Sequence, residues 1–214
     1  MVTHCSRSSA ILCDDILLPS GRVVYRMGMP ATTRDWTVDM LDALPDDGQR
    51  YEIIDGELFV TPAPGEAHQD VVGQLLIRLS HYLDAADVGK VVVSPSDVWR
   101  GERERNRVQP DLYVVRRVAG KRPTYPYHLN SLLLAVEVVS PGNPLVDFHT
   151  KRELYLREGV AEYWVIDPGA RIVFRWCGSD EAGGAISQEL RWKPDGMQSK
   201  FVLNLPQFFD EAFR

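Results

Sequence analysis

The chain has 214 residues and a mass of 24.2 kDa, the size of one domain or of one domain with a short appendage. Apolar residues make up 44% and charged residues 25%, so the chain can bury a core and is not a disordered tail, a coiled coil or a collagen-like rod. No apolar run approaches the length of about 18 residues that a membrane span needs. The three cysteines lack paired spacing, which argues against a disulfide scaffold and a zinc knuckle and predicts a reducing, cytoplasmic setting.

The N-terminal part of the chain divides into an extension and the start of a domain. Residues 1–33 lack sustained periodicity and are expected to form a loosely ordered extension, whereas residues 34–214 are expected to form a single domain. Trp36 to Leu44 is predicted to be a short amphipathic helix. The runs Tyr51–Ile54 and Glu57–Val60 flank Asp55-Gly56, which predicts a β-hairpin near the start of the domain.

The middle of the chain predicts a long helix followed by strands. Apolar residues recur at helical spacing from about His68 to Ala85. Three strands are predicted after it, and a continuous apolar run then has the profile of a buried central strand. These strands are Lys90–Val93, Asp97–Arg100, Val108–Val115 and, as the central one, Leu132–Val139.

A second helix and further strands follow. Asn143-Pro144 is typical of a helix start, although Asp147 could equally be the cap, and Gly159 is typical of a helix end. The tail is expected to pack back on the sheet. The later elements are strands at Glu162–Ile166, Arg171–Trp176 and Phe201–Leu205, followed by Phe208-Phe209. This order predicts an α/β fold with a mixed central sheet flanked by helices.

Glu137 is the residue that first indicates chemistry. It lies inside the apolar run of the predicted central strand, where a lone carboxylate would be strongly destabilising without a cation or metal as partner. Asp111 lies at the start of another strand-like run. Two carboxylates on neighbouring strands would form an oxygen-lined pocket suited to Mg²⁺ or Mn²⁺.

Lys151 is the third member of the predicted site. It follows Glu137 by fourteen residues, on the face of the next helix that also carries Asp147 and Tyr155. A lysine beside a metal held by two carboxylates suits phosphodiester hydrolysis, because it can stabilise the attacking hydroxide or the charge of the transition state.

Each of these residues also has a structural interpretation. Asp111 could cap a turn, and Lys151 could pair with Asp147 on a solvated helix face. Glu137 could belong to a buried structural ion pair, although such a pair is costly. The order Asp, Glu-x-Val, Lys favours the site.

Several stretches resemble the Uma family of bacterial endonucleases, which belongs to the PD-(D/E)XK, or restriction-endonuclease-like, superfamily. The resemblance runs from about Trp36 to the C-terminus. It rests on five sequence stretches: Tyr51–Leu58, Gln109–Leu112, Val136–Pro141, Asp147 with Lys151, and Gly159–Pro168.

The resemblance implies a restriction-endonuclease-like core that cleaves DNA with a divalent metal. Asp111 and Glu137 would then hold Mg²⁺ or Mn²⁺, with the backbone carbonyl of Val138 as a further candidate ligand. The superfamily lysine expected two residues after the glutamate is replaced by Val139. The resemblance suggests that Lys151 on the next helix takes its place.

Two further acid-base candidates come from the same resemblance. Glu52 matches the upstream acid of the family and would orient a water molecule or a second metal; the alternative is an exposed hairpin residue. His68 matches a recurring position at the start of the long helix and is a candidate for phosphate contact or for a base; the alternative is a structural or exposed histidine. Gln109 is a candidate for hydrogen bonding within the site.

The charge distribution bears on a nucleic-acid partner. The net charge of −6 disfavours such a partner, but the segment from Arg100 to Arg122 has eight basic and three acidic residues, so it carries +5 and the rest −11. A solvated loop is the plain explanation. If the protein cuts DNA, Arg103, Arg105 and Arg107 are expected to contact phosphates.

Three functions remain open from the sequence. The first is a divalent-metal-dependent endonuclease acting on DNA, double-stranded rather than single-stranded, with a homodimer as the natural way to cut two strands. The second is a catalytically inactive nuclease-fold module that binds nucleic acid or protein. The third is a metal-dependent phosphoesterase acting on smaller substrates.

Overall fold

The computed structural model describes residues 35–61, 63–99, 105–140, 145–178 and 183–214. The predicted extension over residues 1–33 lies outside the described residues, and so do the predicted helix start at Asn143 and the candidate Arg103. Within the described ranges, the helices are α1 (Val38–Asp42), α2 (Glu66–Leu83), α3 (Arg152–Arg157) and α4 (Leu205–Ala212), with a π-helical turn over Val146–Lys151 before α3. No helix in these ranges is long and apolar enough to cross a bilayer.

The strands lie in three sheets within the described part of the chain. They are β1 (Arg50–Ile54), β2 (Glu57–Thr61), β3 (Gly89–Val93), β4 (Val98–Trp99), β5 (Arg107–Val108), β6 (Leu112–Arg116), β7 (Tyr127–His128), β8 (Leu132–Val138), β9 (Glu162–Asp167), β10 (Ile172–Cys177), β11 (Gly184–Ile186), β12 (Glu189–Trp192) and β13 (Phe201–Asn204).

The main sheet is mixed, as predicted. Its described strands have the order β11-β10-β9-β8-β6-β3, in which only the pair β8 and β9 is parallel. Strand β8 is central, and all seven of its residues are buried. The continuous apolar run therefore correctly predicted a strand covered on both faces.

Side chains alternate between the two faces of this sheet. On β9, Trp164 and Ile166 join the core formed with α2, α4 and the β12–β13 pair, whereas Tyr163 and Val165 join the core on the side of α3. Each fully buried aliphatic side chain contributes about 2 kcal/mol of hydrophobic stabilisation. Glu137 shares the α3 side of β8 with Ala135, because the two residues are separated by two positions.

The predicted hairpin forms the edge of a second sheet of order β2-β1-β5-β4-β7. Asp55 and Gly56 have φ angles of 52° and 83°, the positive values that a two-residue turn matching the strand twist requires. Strand β1 also pairs with β5, where Ile53 faces Arg107. The hairpin is thereby joined to the segment that leads into the main sheet.

The prediction that Val108–Val115 forms a single strand is wrong. The chain forms β5 in the second sheet, breaks over Gln109, Pro110 and Asp111, and enters the main sheet as β6. Proline has no backbone N–H to donate, so the ladder is interrupted at Pro110. The break places Asp111 at the junction of the two sheets.

Helices α1, α3 and α4 agree with the predictions in part. The first predicted helix is shorter, and its N-cap Thr37 accepts a hydrogen bond from the Met40 N–H at 3.3 Å. Gly159, with a φ of 80°, follows the end of α3 as predicted. Phe208 and Phe209 are buried in the main core, although the sequence did not predict that they lie on a helix.

Candidate functional site

The predicted site residues converge where the two sheets meet α3. Continuing the antiparallel register of Leu112 with Val136 puts Asp111 opposite Glu137 on the same face of the main sheet. Glu52 comes from β1 of the second sheet, and Lys151 is the last residue of the π-helical turn. Side chains that are far apart in the chain thus meet in one buried cluster.

Lys151 lies among three carboxylates. Its Nζ is 3.0 Å from Glu52 Oε2, 3.1 Å from Glu137 Oε1 and 3.7 Å from Asp147 Oδ1, and only 4% of its side chain is exposed. The pairing with Asp147 was foreseen as a solvated helix contact, but this lysine is buried. The π-helical turn, a feature common at functional sites, aims Lys151 at the sheet. Tyr163 holds that turn by donating its hydroxyl to the Asp147 carbonyl at 2.8 Å.

Asp111 is held by three donors. Arg50 Nη1 lies 2.6 Å from Oδ1, while His68 Nε2 and the backbone N–H of Val138 both lie 2.8 Å from Oδ2. Burial by itself would raise the pKa of the Asp111 carboxyl, but the hydrogen bond and charge of His68 and the charge of Arg50 outweigh it and lower that pKa. Asp111 is therefore ionised.

Glu137 and Glu52 are each fixed by a second partner. The Tyr155 hydroxyl donates to Glu137 Oε1 at 2.8 Å, and the Gln109 N–H donates to Glu52 Oε1 at 2.7 Å. Both glutamates are 1% exposed, so the alternative of an exposed hairpin residue is wrong for Glu52. Both carboxylates are held in fixed orientations.

The electrostatics of the cluster show an excess of negative charge. Burial raises the pKa of Glu137 well above its usual value, and although Lys151 opposes this, the neighbouring carboxylates reinforce it. Burial likewise raises the pKa of Asp147 to about 7, again against the effect of Lys151. The pKa of Lys151 is raised despite its burial, because the charges of Glu137 and Glu52 outweigh desolvation.

A count of charges gives the same result. Two permanent cations face four carboxylates in the described part of the cluster, so the net charge with all four ionised is two minus four, or −2, before His68 is counted. The cations are Arg50 and Lys151; the acids are Glu52, Asp111, Glu137 and Asp147. A buried surplus of negative charge is what an added cation would stabilise.

Asp111 and Glu137 supply carboxylate oxygens, the ligand type that Mg²⁺ and Mn²⁺ prefer. No group of three or more His, Cys, Asp and Glu side chains is placed to hold a metal among the described residues. Magnesium is usually bound through one or two carboxylates and keeps several water molecules, so two carboxylates are compatible with it in chemistry. A zinc site would need more protein ligands.

Comparison with known proteins places the chain in a family. A family model described as "Uma2: Putative restriction endonuclease" matches residues 38–205, which is most of the chain. The chain belongs to the Uma2 family. A search of curated protein sequences finds no significant match.

A solved structure supports the fold of this Uma2 protein. The crystal structure of "a putative nuclease belonging to DUF820" from Anabaena variabilis ATCC 29413 is 16% identical, with a TM-score of 0.67, and the match covers 82% of this chain and 98% of that one. The fold is restriction-endonuclease-like. The type IIG restriction endonuclease BpuSI is 18% identical over 70% of this chain and 16% of that chain, but its TM-score of 0.34 is too low to indicate a shared fold.

The residues predicted to contact phosphate are placed differently from one another in this Uma2 chain. Arg105 is half exposed, lies 2.7 Å from Asp35 Oδ1 and donates to the Asp55 carbonyl at 3.1 Å. Arg107 is only 11% exposed and pairs with Asp42 and, at 3.8 Å, with Asp97. These two carboxylates hold the guanidinium in the structure, and the phosphate contact predicted for Arg107 stays a prediction.

His68 lies inside the site. It is 6% exposed and its Nε2 is directed to Asp111, which matches the structural alternative, while a phosphate contact or a role as base stays a prediction. Gln109 does lie within the site, as predicted. It contributes its backbone N–H to Glu52, while its side-chain amide donates to Asp97 at 2.8 Å.

Two members of the cluster were missed by the sequence analysis. Arg50 lies one residue before the predicted strand Tyr51–Ile54, whereas β1 begins at Arg50, and the period of a strand places its side chain on the same face as that of Glu52. Tyr155 was assigned to the same helix face as Lys151, but nothing in the sequence indicated that its hydroxyl reaches Glu137. Strand periodicity would have identified Arg50; Tyr155 needed the tertiary structure.

Proposed function

We propose that the protein is a divalent-metal-dependent endonuclease that hydrolyses phosphodiester bonds in double-stranded DNA. Membership of the Uma2 family and the restriction-endonuclease-like fold support a nuclease role. The observation that carries the proposal is the buried cluster in which Lys151 bridges Glu52 and Glu137 beside Asp111, with more carboxylates than cations. A nuclease needs these charges to activate water and to balance the charge of the transition state.

Four residues of the cluster have a role in the proposed reaction. Asp111 and Glu137 would hold Mg²⁺ or Mn²⁺, which when bound lowers the pKa of a water ligand and neutralises phosphate charge. A water oxygen attacks phosphorus and loses a proton to solvent, the bond from phosphorus to the leaving oxygen breaks, and the leaving oxygen takes up a proton from solvent. Lys151 stabilises the negative charge that develops in this step. Glu52 orients Lys151 through the contact of 3.0 Å.

Cleavage of supercoiled plasmid with Mg²⁺ or Mn²⁺, and its loss in EDTA, tests this proposal. Glu137→Gln and Lys151→Met are each expected to slow nicking by about 10³-fold. The matched control is Glu162→Gln, which changes a buried glutamate of the same sheet that pairs with Arg175 outside the cluster. Nicking that survives either substitution in the cluster, or that is lost equally in the control, would contradict the proposal.

A second candidate is an inactive nuclease-fold module that binds nucleic acid or protein. The observation in its favour is that Arg50, His68 and the Val138 N–H already occupy the oxygens of Asp111. It predicts that the protein retains DNA without cutting it and that calorimetry detects no binding of Mn²⁺. Turnover of a small phosphodiester without binding of long DNA would instead indicate a phosphoesterase.

The homodimer stays a prediction that light scattering can test. Two symmetric sites are the simplest way to cut both strands of a duplex. A dimer is expected to convert plasmid to the linear form in one binding event, whereas a monomer is expected to accumulate nicked circles first.

A further inference from the structure

The cation nearest to Asp111 is Arg50, which neither the sequence analysis nor the proposed function has given a catalytic role. Its Nη1 lies 2.6 Å from Asp111 Oδ1, the shortest contact that this carboxylate makes. A guanidinium at this place neutralises the charge that a metal ion would otherwise neutralise. Arg50 therefore occupies the oxygen that the metal would need.

The two oxygens of Asp111 differ in how easily they can change partner. Oδ2 accepts from the Val138 backbone N–H, which cannot withdraw while β8 keeps its pairing, and also from His68 on α2. Oδ1, in contrast, accepts a hydrogen bond from the Arg50 side chain and from no backbone group among the described residues. A divalent ion arriving at Asp111 must therefore bind Oδ1, next to a guanidinium of like charge, which it repels.

Arg50 is also the more exposed and less tightly paired of the two permanent cations in the cluster. Its side chain is 15% exposed, against 4% for Lys151, which is held by three carboxylates. Apart from Asp111, its described polar contact is a long one of 3.4 Å to Ser94 Oγ. Arg50 can leave Asp111 without losing a second strong partner.

The guanidinium is suited to the group that the substrate brings. Its planar fork matches two oxygens of a phosphate, and it stays charged at any pH at which a protein is folded. Arg50 is the first residue of β1, and its side chain is 15% exposed, so a ligand from solvent can reach the guanidinium.

We propose that Arg50 is a catalytic residue that exchanges partners: it neutralises Asp111 while the metal is absent and binds the scissile phosphate once the metal occupies Asp111. This inference rests on the proposed nuclease function. It assigns to Arg50 two effects of opposite sign, since the guanidinium competes with the metal and assists the cleavage. A residue that only maintained the structure of the site would promote both.

Calorimetric titration of the DNA-free protein with Mn²⁺ measures the competition between Arg50 and the metal directly. Arg50→Gln keeps a hydrogen-bond donor for Asp111 but removes the charge, so we expect it to bind Mn²⁺ about tenfold more tightly than the wild type. The same variant is expected to nick plasmid about 10²-fold more slowly at saturating Mn²⁺. Arg50→Lys keeps the charge without the fork, so its Mn²⁺ affinity should stay near the wild-type value while nicking still falls.

Arg175→Gln is the matched control, since Arg175 is a partly buried arginine that pairs with Glu162 outside the cluster. It should leave both Mn²⁺ affinity and nicking unchanged. Weaker Mn²⁺ binding in Arg50→Gln, or unchanged nicking at saturating Mn²⁺ in both Arg50 variants, would overturn the exchange while leaving the nuclease proposal intact. A wild-type protein that binds no Mn²⁺ and cuts no DNA would overturn the proposed function and this inference with it.

Discussion

Replacing Lys151 by methionine removes the ammonium but keeps an apolar chain of similar length in the cluster. The ammonium lies 3.0 Å and 3.1 Å from Glu52 and Glu137, and both of those glutamates are 1% exposed. Removing one partner of a buried ion pair costs about 3–5 kcal/mol, because the remaining charge is left without compensation. Lys151→Met is therefore expected to lower the free energy of unfolding by about that amount near pH 8.

The loss depends on pH because Glu137 can take up a proton instead. The pKa of Glu137 is raised in the folded protein above its usual value of 4.5, so between these two values the folded state binds more protons than the unfolded state, and stability falls as pH rises. A protonated Glu137 carries no charge for Lys151 to balance, so we expect the destabilisation by Lys151→Met to be smaller near pH 5 than near pH 8.

Urea unfolding, monitored by tryptophan fluorescence near pH 8 and near pH 5, measures the destabilisation by Lys151→Met at each pH. Lys193→Met, a substitution of an exposed lysine, is the control and should change stability by less than about 0.5 kcal/mol at either pH. In the double variant Lys151→Met/Glu137→Gln, at least about 1 kcal/mol should be recovered near pH 8, since the uncompensated charge is gone. Equal destabilisation at the two pH values would refute the assignment of Lys151 as the neutralising partner of these carboxylates.

Three further predictions test separate features. Tyr155→Phe removes the hydroxyl that donates to Glu137 and should lower the free energy of unfolding by about 1.5–3 kcal/mol; an unchanged urea midpoint would contradict this hydrogen bond. Gly89→Ala would place a Cβ 2.7 Å from a methyl carbon on the facing strand and should cost about 1–3 kcal/mol, so a wild-type melting temperature would show that the strand can shift freely. Arg105→Gln should reduce the slope of log affinity for DNA against log salt by about 0.9, whereas Arg107→Gln, which alters an internally paired side chain, should leave the slope unchanged. Equal slopes in the two variants would show that exposure of the arginine does not decide whether it contacts phosphate.

The local features of the fold were predictable because their causes lie within a few residues. Asp55-Gly56 between two alternating runs is enough to predict the hairpin, since only residues that tolerate positive φ form that turn. The apolar run around Glu137 is long and continuous enough to predict a strand buried on both faces. Gly159 was correctly predicted to follow the helix end for the same kind of reason.

The errors in the prediction involve contacts between distant parts of the chain. Val108–Val115 has strand-forming composition throughout, and only the separate pairing of β5 and β6 shows that it belongs to two sheets. Likewise, Arg107 has the same sequence context as its neighbouring arginines. Its burial depends on Asp42 of α1 and Asp97 beside β4, which pattern within the basic segment cannot reveal.

The candidate site divides in the same way. A carboxylate inside an apolar strand must have a partner, because desolvation of an unpaired charge is prohibitive, and this follows for Glu137 from its neighbours in the chain alone. The partners of Asp111 do not follow from its neighbours: Arg50 and His68 are 61 and 43 residues away from it. They reach it only because the tertiary fold brings the start of β1 and the first turn of α2 next to Asp111, and such packing depends on the whole set of apolar surfaces that fold together.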